Sequence, residues 1–337
     1  MSWTVAIGVD THRDIHVAVA LDRFGSMLDS IEVETTEEGF EELLAFAGPL
    51  GEPPAFVIEG TGSYGAGLAR FLVERGHEVY ECERPRRRSK RQSKSDLIDA
   101  RRAALRLVAG ERIALPRSFG SREHLKALLS ERKLCVQAST QAKNSLRALV
   151  VTAPQEIPRE LRSLGGESLW KACLQIERSA GCAGSLVRIS ERISHLKEEL
   201  SEIDKELGSI TASICPRLLA ERGVGPVVAA QLIVSAGDIS RIRSEAAFAS
   251  LAGTCPIEAS SGLVKRHRLN RGGDRQLNWA LHTAALVRIR FHEETATYYE
   301  RLLERGKTKR EAIRCVKRML CRRLYRLMVE EGSFCEA

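Results

Sequence analysis

At 337 residues the chain is too long for one small hydrophobic core, and its 43% apolar and 28% charged residues are typical of a globular protein with two or three domains. A net charge of +8 favours acidic partners, and the sequence has no apolar stretch long enough to span a bilayer and no recognisable signal peptide. Nine scattered cysteines, none in a Cys-x-x-Cys pair, argue for reduced thiols in a cytoplasmic protein and against a zinc site or a disulfide framework.

The N-terminal third alternates between strand and helix patterns. Apolar periodicity and turn residues predict strands at 3–10, 16–24 and 28–35, a helix that begins at 35–38, a strand at 55–59, a helix at 65–75, a strand at 77–82 and a helix at 95–108 that Ser95 caps. Three consecutive strands followed by alternating helices and strands predict a mixed sheet covered by helices, which is the layout of the ribonuclease-H-like fold.

Four carboxylates stand at the edges of these predicted elements. Asp10 ends the first strand and Glu59 ends the fourth, while Asp96 and Asp99 lie three residues apart at the start of a helix and so share one face. Oxygen ligands of this kind suit Mg²⁺, with Mn²⁺ as the alternative ion, and a bound divalent cation polarises phosphodiesters. The simpler interpretation is that Asp96 and Asp99 only stabilise a helix N-terminus.

Two histidines lie beside Asp10 in the sequence. His12 and His16 would allow a mixed histidine and carboxylate site, but solvated or hydrogen-bonded histidines are the expected interpretation. The predicted metal ligands are therefore the four acids alone.

A glycine-rich segment, residues 60–65, follows the strand that ends at Glu59. It spells G-x-G-x-x-G before a helix, and Glu81 or Glu83 stands about 20 residues on, as dinucleotide binding requires. Three earlier strands, the adjacent Glu59 and the basic run that follows argue against that interpretation. We expect the glycines to let the backbone turn tightly beside Glu59, and no nucleotide cofactor.

Basic charge is concentrated in two blocks. Nine Lys and Arg residues stand against two acids between Arg84 and Arg102, and eighteen against six between Lys265 and Arg326. Such blocks are typical of nucleic-acid-binding proteins, although solvated helix faces can look alike. The predicted nucleic-acid-binding residues are Arg86, Arg87, Arg88, Lys90, Arg91, Lys94, Lys265, Arg266, Arg268, Arg271 and Arg275.

Beyond Pro116 the sequence predicts helices with one interruption, at 154–184. Apolar residues from Ile189 to Ile214 then alternate spacings of four and three, which predicts a coiled coil, either with helix 121–150 of the same chain or at a dimer contact. Residues 219–230 fit a helix-hairpin-helix that could face a phosphate, or an ordinary packing unit. Further helices are predicted at 246–252, 274–290 and 308–330.

A Ser-Ser-Gly sequence lies in the stretch between the predicted helices 246–252 and 274–290. Ser260 or Ser261, followed by Lys265 and Arg266, could attack phosphorus with cations neutralising the developing charge. Such a sequence is also a common turn.

The chain as a whole resembles the DEDD transposases of the insertion-sequence 110 family, some of which are known as bridge recombinases. The resemblance rests on residues 8–12, 59–64, 94–101 and 223–226, and on Ser261-Gly262 upstream of Gly-Gly-Asp-Arg. It implies a RuvC-like metal-binding domain (1–110), a helical coiled-coil connector (111–215) and a transposase domain (216–337). It also implies a nucleophilic serine, which fits Ser261 better than Ser260.

The same resemblance implies partners and a location. They are DNA at the element ends and target, a guide RNA, and dimers that assemble into a tetramer whose subunits share the active sites, in the bacterial cytosol. The resulting hypothesis is a transposase that cuts and rejoins DNA through a phosphoserine, with Asp10, Glu59, Asp96, Asp99 and Ser261 as catalytic residues. The alternatives are a RuvC-like metal-dependent nuclease or junction resolvase without a covalent intermediate, and a non-catalytic nucleic-acid-binding protein.

Overall fold

The computed structural model describes residues 3–82, 96–111, 113–116, 120–154, 157–178, 181–258, 267–268 and 270–332. The chain divides into two units, an N-terminal unit of residues 1–119 and a C-terminal unit of residues 120–337. The predicted boundaries at 110 and 215 stay a prediction, and the residues around 215 lie within the C-terminal unit.

The N-terminal unit contains a five-stranded mixed sheet. Its strands are β1 (Val5–Thr11), β2 (Ile15–Leu21), β3 (Met27–Glu34), β4 (Pro54–Glu59) and β5 (Glu78–Cys82). They lie in the order β3-β2-β1-β4-β5, with β1 antiparallel to β2 and parallel to β4. The predicted mixed sheet is confirmed, and it is consistent with a RuvC-like fold.

Helices cover both faces of this sheet, because alternate strand residues point to opposite sides. They are α1 (Glu37–Ala47), α2 (Ala66–Glu74) and α3 (Asp96–Val108). Ile7 and Phe56 pack into one core with α1 and α2, whereas Ala6 and Val57 pack into a second core with α3. By the same alternation, Asp10 on β1 and Glu59 on β4 belong to the α3 side.

The described part of the C-terminal unit is mainly helical, as predicted. Its helices are α4 (Ser121–Val151), α5 (Gly166–Cys173), α6 (Cys182–Ile214), α7 (Pro216–Ala220), α8 (Pro226–Ala236), α9 (Glu245–Leu251), α10 (Arg275–Phe291), α11 (Glu293–Glu304) and α12 (Lys309–Glu331). Two short strands, β6 (Ile257–Glu258) and β7 (His267–Arg268), pair antiparallel.

One prediction is wrong here: the interruption at 154–184 contains a helix, α5. Leu169, Trp170 and Cys173 are buried on it, in a core that includes Leu146 of α4 and Leu186 of α6. Tertiary burial thus stabilises a helix that the sequence pattern does not predict, because glycines, prolines and serines surround it.

The long helices α4 and α6 pack against each other within one chain. His124 near the start of α4 is 2.9 Å from Glu206 near the end of α6, and Leu146 near the end of α4 shares a core with Leu186 near the start of α6. The two helices are therefore antiparallel, the intramolecular arrangement left open by the sequence. Their description as a coiled coil stays a prediction.

None of the helices within the described residues is both long and apolar enough to cross a membrane.

Candidate metal centre

Strand pairing places Asp10 and Glu59 at the same edge of the sheet. The parallel register pairs Val9 of β1 with Ile58 of β4, and each acid is the next residue on its strand. The Thr11 hydroxyl donates to the backbone oxygen of Glu59 at 2.7 Å, which ties the two strand ends together. Both acids belong to the face that α3 covers.

Gly8 lets α3 approach β1 closely. A Cβ atom at this position would lie 2.0 Å from the Ala100 backbone oxygen and 2.5 Å from the Ala104 backbone nitrogen. Only glycine fits this contact, so helix α3 lies directly on the strand that ends in Asp10. The first turn of α3 contains Asp96 and Asp99.

The described residues bring Asp10, Asp96 and His12 together. Nε2 of His12 is 3.3 Å from Oδ2 of Asp10 and 3.4 Å from Oδ2 of Asp96. One ligand atom from each of the three residues lies within 4.8 Å of the others. The structure thus places His12 against the acids, which the sequence analysis did not expect. The i, i+2 spacing of Asp10 and His12 at the end of a strand was the available signal.

Asp99 faces the same region but has a cationic neighbour. Its Oδ1 accepts a hydrogen bond from Nη1 of Arg102 at 3.0 Å. Asp99 and Asp96 nevertheless both raise the pKa of Asp10 electrostatically. Asp10, Asp96 and Asp99 therefore interact in one region, with Asp10 and Asp96 in the tightest group, whereas Glu59 is placed near them only by the position of its strand end.

The electrostatics of Asp10 fit a cation. Asp10 is 8% exposed, and burial raises the pKa of its carboxyl group, an effect that Asp96 and Asp99 reinforce and that His12 opposes. Nε2 of His12 is itself buried and lies against the carboxylates of both Asp10 and Asp96. A buried carboxylate, a second acid and an imidazole nitrogen that lies against both of them make a donor set that a divalent ion would complete.

The glycine-rich segment after β4 forms a tight turn against β1. Gly60 has a φ of +74°, and a Cβ atom at Gly65 would lie 2.8 Å from Cγ2 of Ile58 and 3.0 Å from Cγ2 of Thr11. Since β1, β2 and β3 are antiparallel neighbours, the sheet differs from the parallel sheet of a dinucleotide-binding fold. The glycines serve the turn that follows Glu59.

Several predicted residues lie outside the described residues. They are the candidate nucleophiles Ser260 and Ser261, the cations Lys265 and Arg266, and the basic run Arg86, Arg87, Arg88, Lys90, Arg91 and Lys94. The remaining three, Arg268, Arg271 and Arg275, are exposed in the C-terminal unit at β7 and at the start of α10.

The predicted helix-hairpin-helix has the expected elements, α7 and α8, with Gly223 at a φ of +86° in the turn. Buried Glu221 in this turn pairs with buried Arg288 of α10, and its other oxygen accepts from Arg323 at 2.5 Å. The turn is thus packed onto α10, as the ordinary packing interpretation expects.

Comparison with known proteins yields matches along most of the chain. A DEDD transposase model of insertion-sequence 110 elements matches residues 7–153, and a model described as "Transposase IS116/IS110/IS902 family" matches residues 215–300. The chain is 29% identical over 152 residues to the "Insertion element IS110 uncharacterized 43.6 kDa protein" of Streptomyces coelicolor, which covers 44% of this chain and 37% of that protein.

A second similar protein is the "Insertion element IS900 uncharacterized 42 kDa protein" of Mycobacterium paratuberculosis. It is 25% identical over 260 residues, which is 72% of this chain and 63% of that protein. The matched stretches thus span 37% and 63% of the two relatives' own lengths.

Proposed function

The chain belongs to the IS110 family of DEDD transposases, and we propose that it is the enzyme that moves an insertion sequence by cutting and rejoining DNA. The observation that carries this proposal is the approach of Asp10 and Asp96 on the α3 side of the sheet. It occurs at the edge of the sheet where β4 ends in Glu59. Carboxylates gathered in this way are a device for phosphodiester chemistry with a divalent ion.

Asp10, Glu59, Asp96 and Asp99 would hold Mg²⁺, or Mn²⁺ in its place. The bound ion would supply Lewis-acid polarisation of a phosphodiester and would neutralise developing charge. Asp10 would be the central ligand, because it is buried on the α3 side of β1 and its backbone is paired with Val17 of β2. Asp96 comes from the helix, so the site depends on the contact at Gly8.

Ser261 is the proposed nucleophile. Its hydroxyl would lose a proton and form an Oγ–P bond, while the bond from phosphorus to a sugar oxygen breaks and that oxygen takes up a proton. Attack by a free DNA hydroxyl on the phosphoserine would reverse the step, so no nucleotide hydrolysis is required. Support comes from the family resemblance and from the cations that flank this serine in the sequence, among them Lys265, Arg266 and Arg268.

The proposed partners are DNA, a guide RNA and further copies of this chain. Two basic blocks in the sequence support binding of a nucleic-acid backbone, with affinity that falls steeply as salt rises. Guide-RNA use and assembly of dimers into a tetramer rest on the family resemblance alone, and the proposed cytoplasmic location rests on it and on the scattered cysteines.

Trapping of covalent protein–DNA adducts tests the serine. Wild-type protein with Mg²⁺ and DNA that carries the element ends should give adducts that survive denaturation and disappear after protease treatment. Ser261→Ala should abolish them, and the neighbouring Ser260→Ala should retain them. Adducts lost in Ser260→Ala but kept in Ser261→Ala would move the nucleophile by one residue.

Strand cleavage that persists in both single variants and in the double variant would contradict the phosphoserine route. It would favour the metal-dependent nuclease, in which water attacks the phosphodiester. Absence of any Mg²⁺-dependent cleavage by wild-type protein would favour the non-catalytic nucleic-acid-binding protein.

A further inference from the structure

A buried lysine lies on helix α12 of the C-terminal unit. Lys317 is 6% exposed, and its Nζ donates a hydrogen bond to Oδ1 of Asn278 at 2.5 Å. The Asn278 amide nitrogen in turn donates to the Ala252 backbone oxygen at 2.7 Å, so the acceptor is fixed in place. An ammonium group has three donors, and Asn278 uses one of them.

No countercharge accompanies this ammonium among the residues that the structure describes. None of their carboxylates lies within 4.0 Å of Nζ, and burial lowers the pKa of Lys317 to about 8. Burial, followed by the charge of Lys317, also lowers the pKa of nearby His282. A buried amine without an acid destabilises the fold, so a role outside folding is indicated.

Lys317 borders a cavity of about 500 Å³. Among the described residues that line this cavity, six have cationic side chains and one, Glu311, has a carboxylate; the cations are Arg268, Lys307, Arg314, Lys317, Arg318 and Arg322. Three of the arginines repeat every four residues and so share one face of α12. Glu245, which does not line the cavity, pairs with Arg318 and Arg322, but the cations still outnumber the two acids, so the cavity is electropositive.

The lining of the cavity also contains a buried donor without a partner among the residues described. Arg318 contributes Nη2 to an ion pair with Glu245 at 3.1 Å, but its Nη1 is buried and has no hydrogen-bond partner within the described residues. Lys317 and Arg318 are consecutive on α12 and both line the cavity. Two adjacent cationic groups with spare donors in the lining of a cavity favour an anion with several acceptor oxygens.

The position of the cavity favours a phosphate of a nucleic-acid strand as this anion. Pro256 and His267, which flank the segment that contains Ser261, both line it, and the strands β6 and β7 hold the two sides of that segment together. A volume of about 500 Å³ is of the size of ordinary ligand pockets, and it offers room for one nucleotide of a strand rather than for a duplex.

We propose that this cavity binds a phosphodiester group of a single nucleic-acid strand, with Lys317 and Arg318 as its inner contacts. The inference rests on the proposed function, since it takes the strand to be the one that the enzyme works on or is guided by. It adds a binding site in the C-terminal unit to the acids of the N-terminal unit.

The test is strand binding by Lys317→Met in the absence of metal. Fluorescence anisotropy with labelled thymidine DNA and uridine RNA homopolymers, in EDTA, should show about a tenfold loss of affinity relative to wild type. The slope of log affinity against log salt should fall by about 0.7, the value for one phosphate contact on a single strand. The strand whose affinity falls in Lys317→Met, DNA or RNA, identifies the source of the phosphodiester.

Two further variants separate a binding role from a structural one. Lys309→Met removes the same charge from an exposed position on the same helix and should change the affinity less than threefold. Lys317→Arg keeps the charge and should retain the wild-type salt slope. Equal losses in Lys317→Arg and Lys317→Met, or unchanged binding of both strands by Lys317→Met, would overturn the proposal.

The metal-dependent reaction is measured in parallel. If wild-type protein cleaves DNA with Mg²⁺ and Lys317→Met binds both strands normally, the cavity proposal fails and the proposed function stands. Wild-type protein that binds no strand and cleaves no DNA would contradict both.

Discussion

The metal centre of the N-terminal unit and the cavity of the C-terminal unit bury opposite charges. At Asp10, burial and neighbouring acids raise the pKa of a carboxyl group, and at Lys317 burial lowers the pKa of an amine. Each site therefore disfavours its own charged form until a ligand of the opposite sign binds. A divalent cation would satisfy the first site and a phosphodiester the second, and in the proposed function both would take part in one reaction on nucleic acid.

The largest effect is expected at the metal centre. Asp10→Asn removes the buried ligand charge and should lower the Mg²⁺-dependent cleavage rate about a thousandfold, because the ion supplies several kcal/mol of transition-state stabilisation. The thermal midpoint should not fall, since a buried carboxylate is replaced by an isosteric amide. Nicking of supercoiled plasmid measures the rate, and Asp14→Asn, at an exposed acid of the same hairpin, is the matched control.

The contact between α3 and β1 should be the most sensitive packing position of the N-terminal unit. Gly8→Ala inserts a methyl group 2.0 Å from the Ala100 backbone oxygen, so the helix must shift, at a cost of more than about 3 kcal/mol of unfolding free energy. Urea denaturation measures this loss of unfolding free energy. Gly62→Ala, where a Cβ atom meets nothing within 4 Å, should cost far less. Equal stability of both variants would show that α3 does not lie on β1 as described.

Lys317 should make the stability of the C-terminal unit depend on alkaline pH. Its pKa is about 8 in the folded protein and about 10.5 in the unfolded chain, so between these values the unfolded state binds more protons and the unfolding free energy rises with pH. Relative to Lys317→Met, the wild-type protein should gain about 2 kcal/mol between pH 8 and pH 10. If the unfolding free energies of the wild-type protein and of Lys317→Met changed equally with pH, the amine of Lys317 would be solvated.

The smallest effect is expected at the exposed ion pair between α4 and α6. Nε of Arg132 is 2.6 Å from Oδ1 of Asp204, and both side chains are partly exposed. Asp204→Asn should cost about 0.5 kcal/mol, and the cost should shrink at high salt. Thermal melts at low and high salt check this, and a cost above that of Gly8→Ala would overturn the ranking.

The sequence predicted the N-terminal sheet well because local patterns and tertiary structure agree there. The alternation of side-chain direction along β1 and β4 puts Asp10 and Glu59 on one face, and the spacing of Asp96 and Asp99 puts both on one turn of a helix. What the pattern could not supply is the depth of the contact at Gly8, which depends on two segments far apart in the chain.

Other features follow from tertiary packing alone. Helix α5 exists because Leu169 and Trp170 find a buried surface on α4 and α6, and no local signal encodes that surface. Lys317 looks like any other lysine in a basic helix, and its burial depends on Asn278 from α10. The approach of His12 to Asp96 likewise required the position of α3 on the sheet.

The antiparallel pairing of α4 with α6 separates two regions of the C-terminal unit that are expected to open independently. With 31 residues, α4 is about 46 Å long, and one end packs with α5 while the other packs with the core around α8 and α10. Fluctuations that expose the α5 end leave the amides of the distant core hydrogen-bonded. Native-state hydrogen exchange should therefore resolve two cooperative steps along these helices, with the α5 end exchanging first.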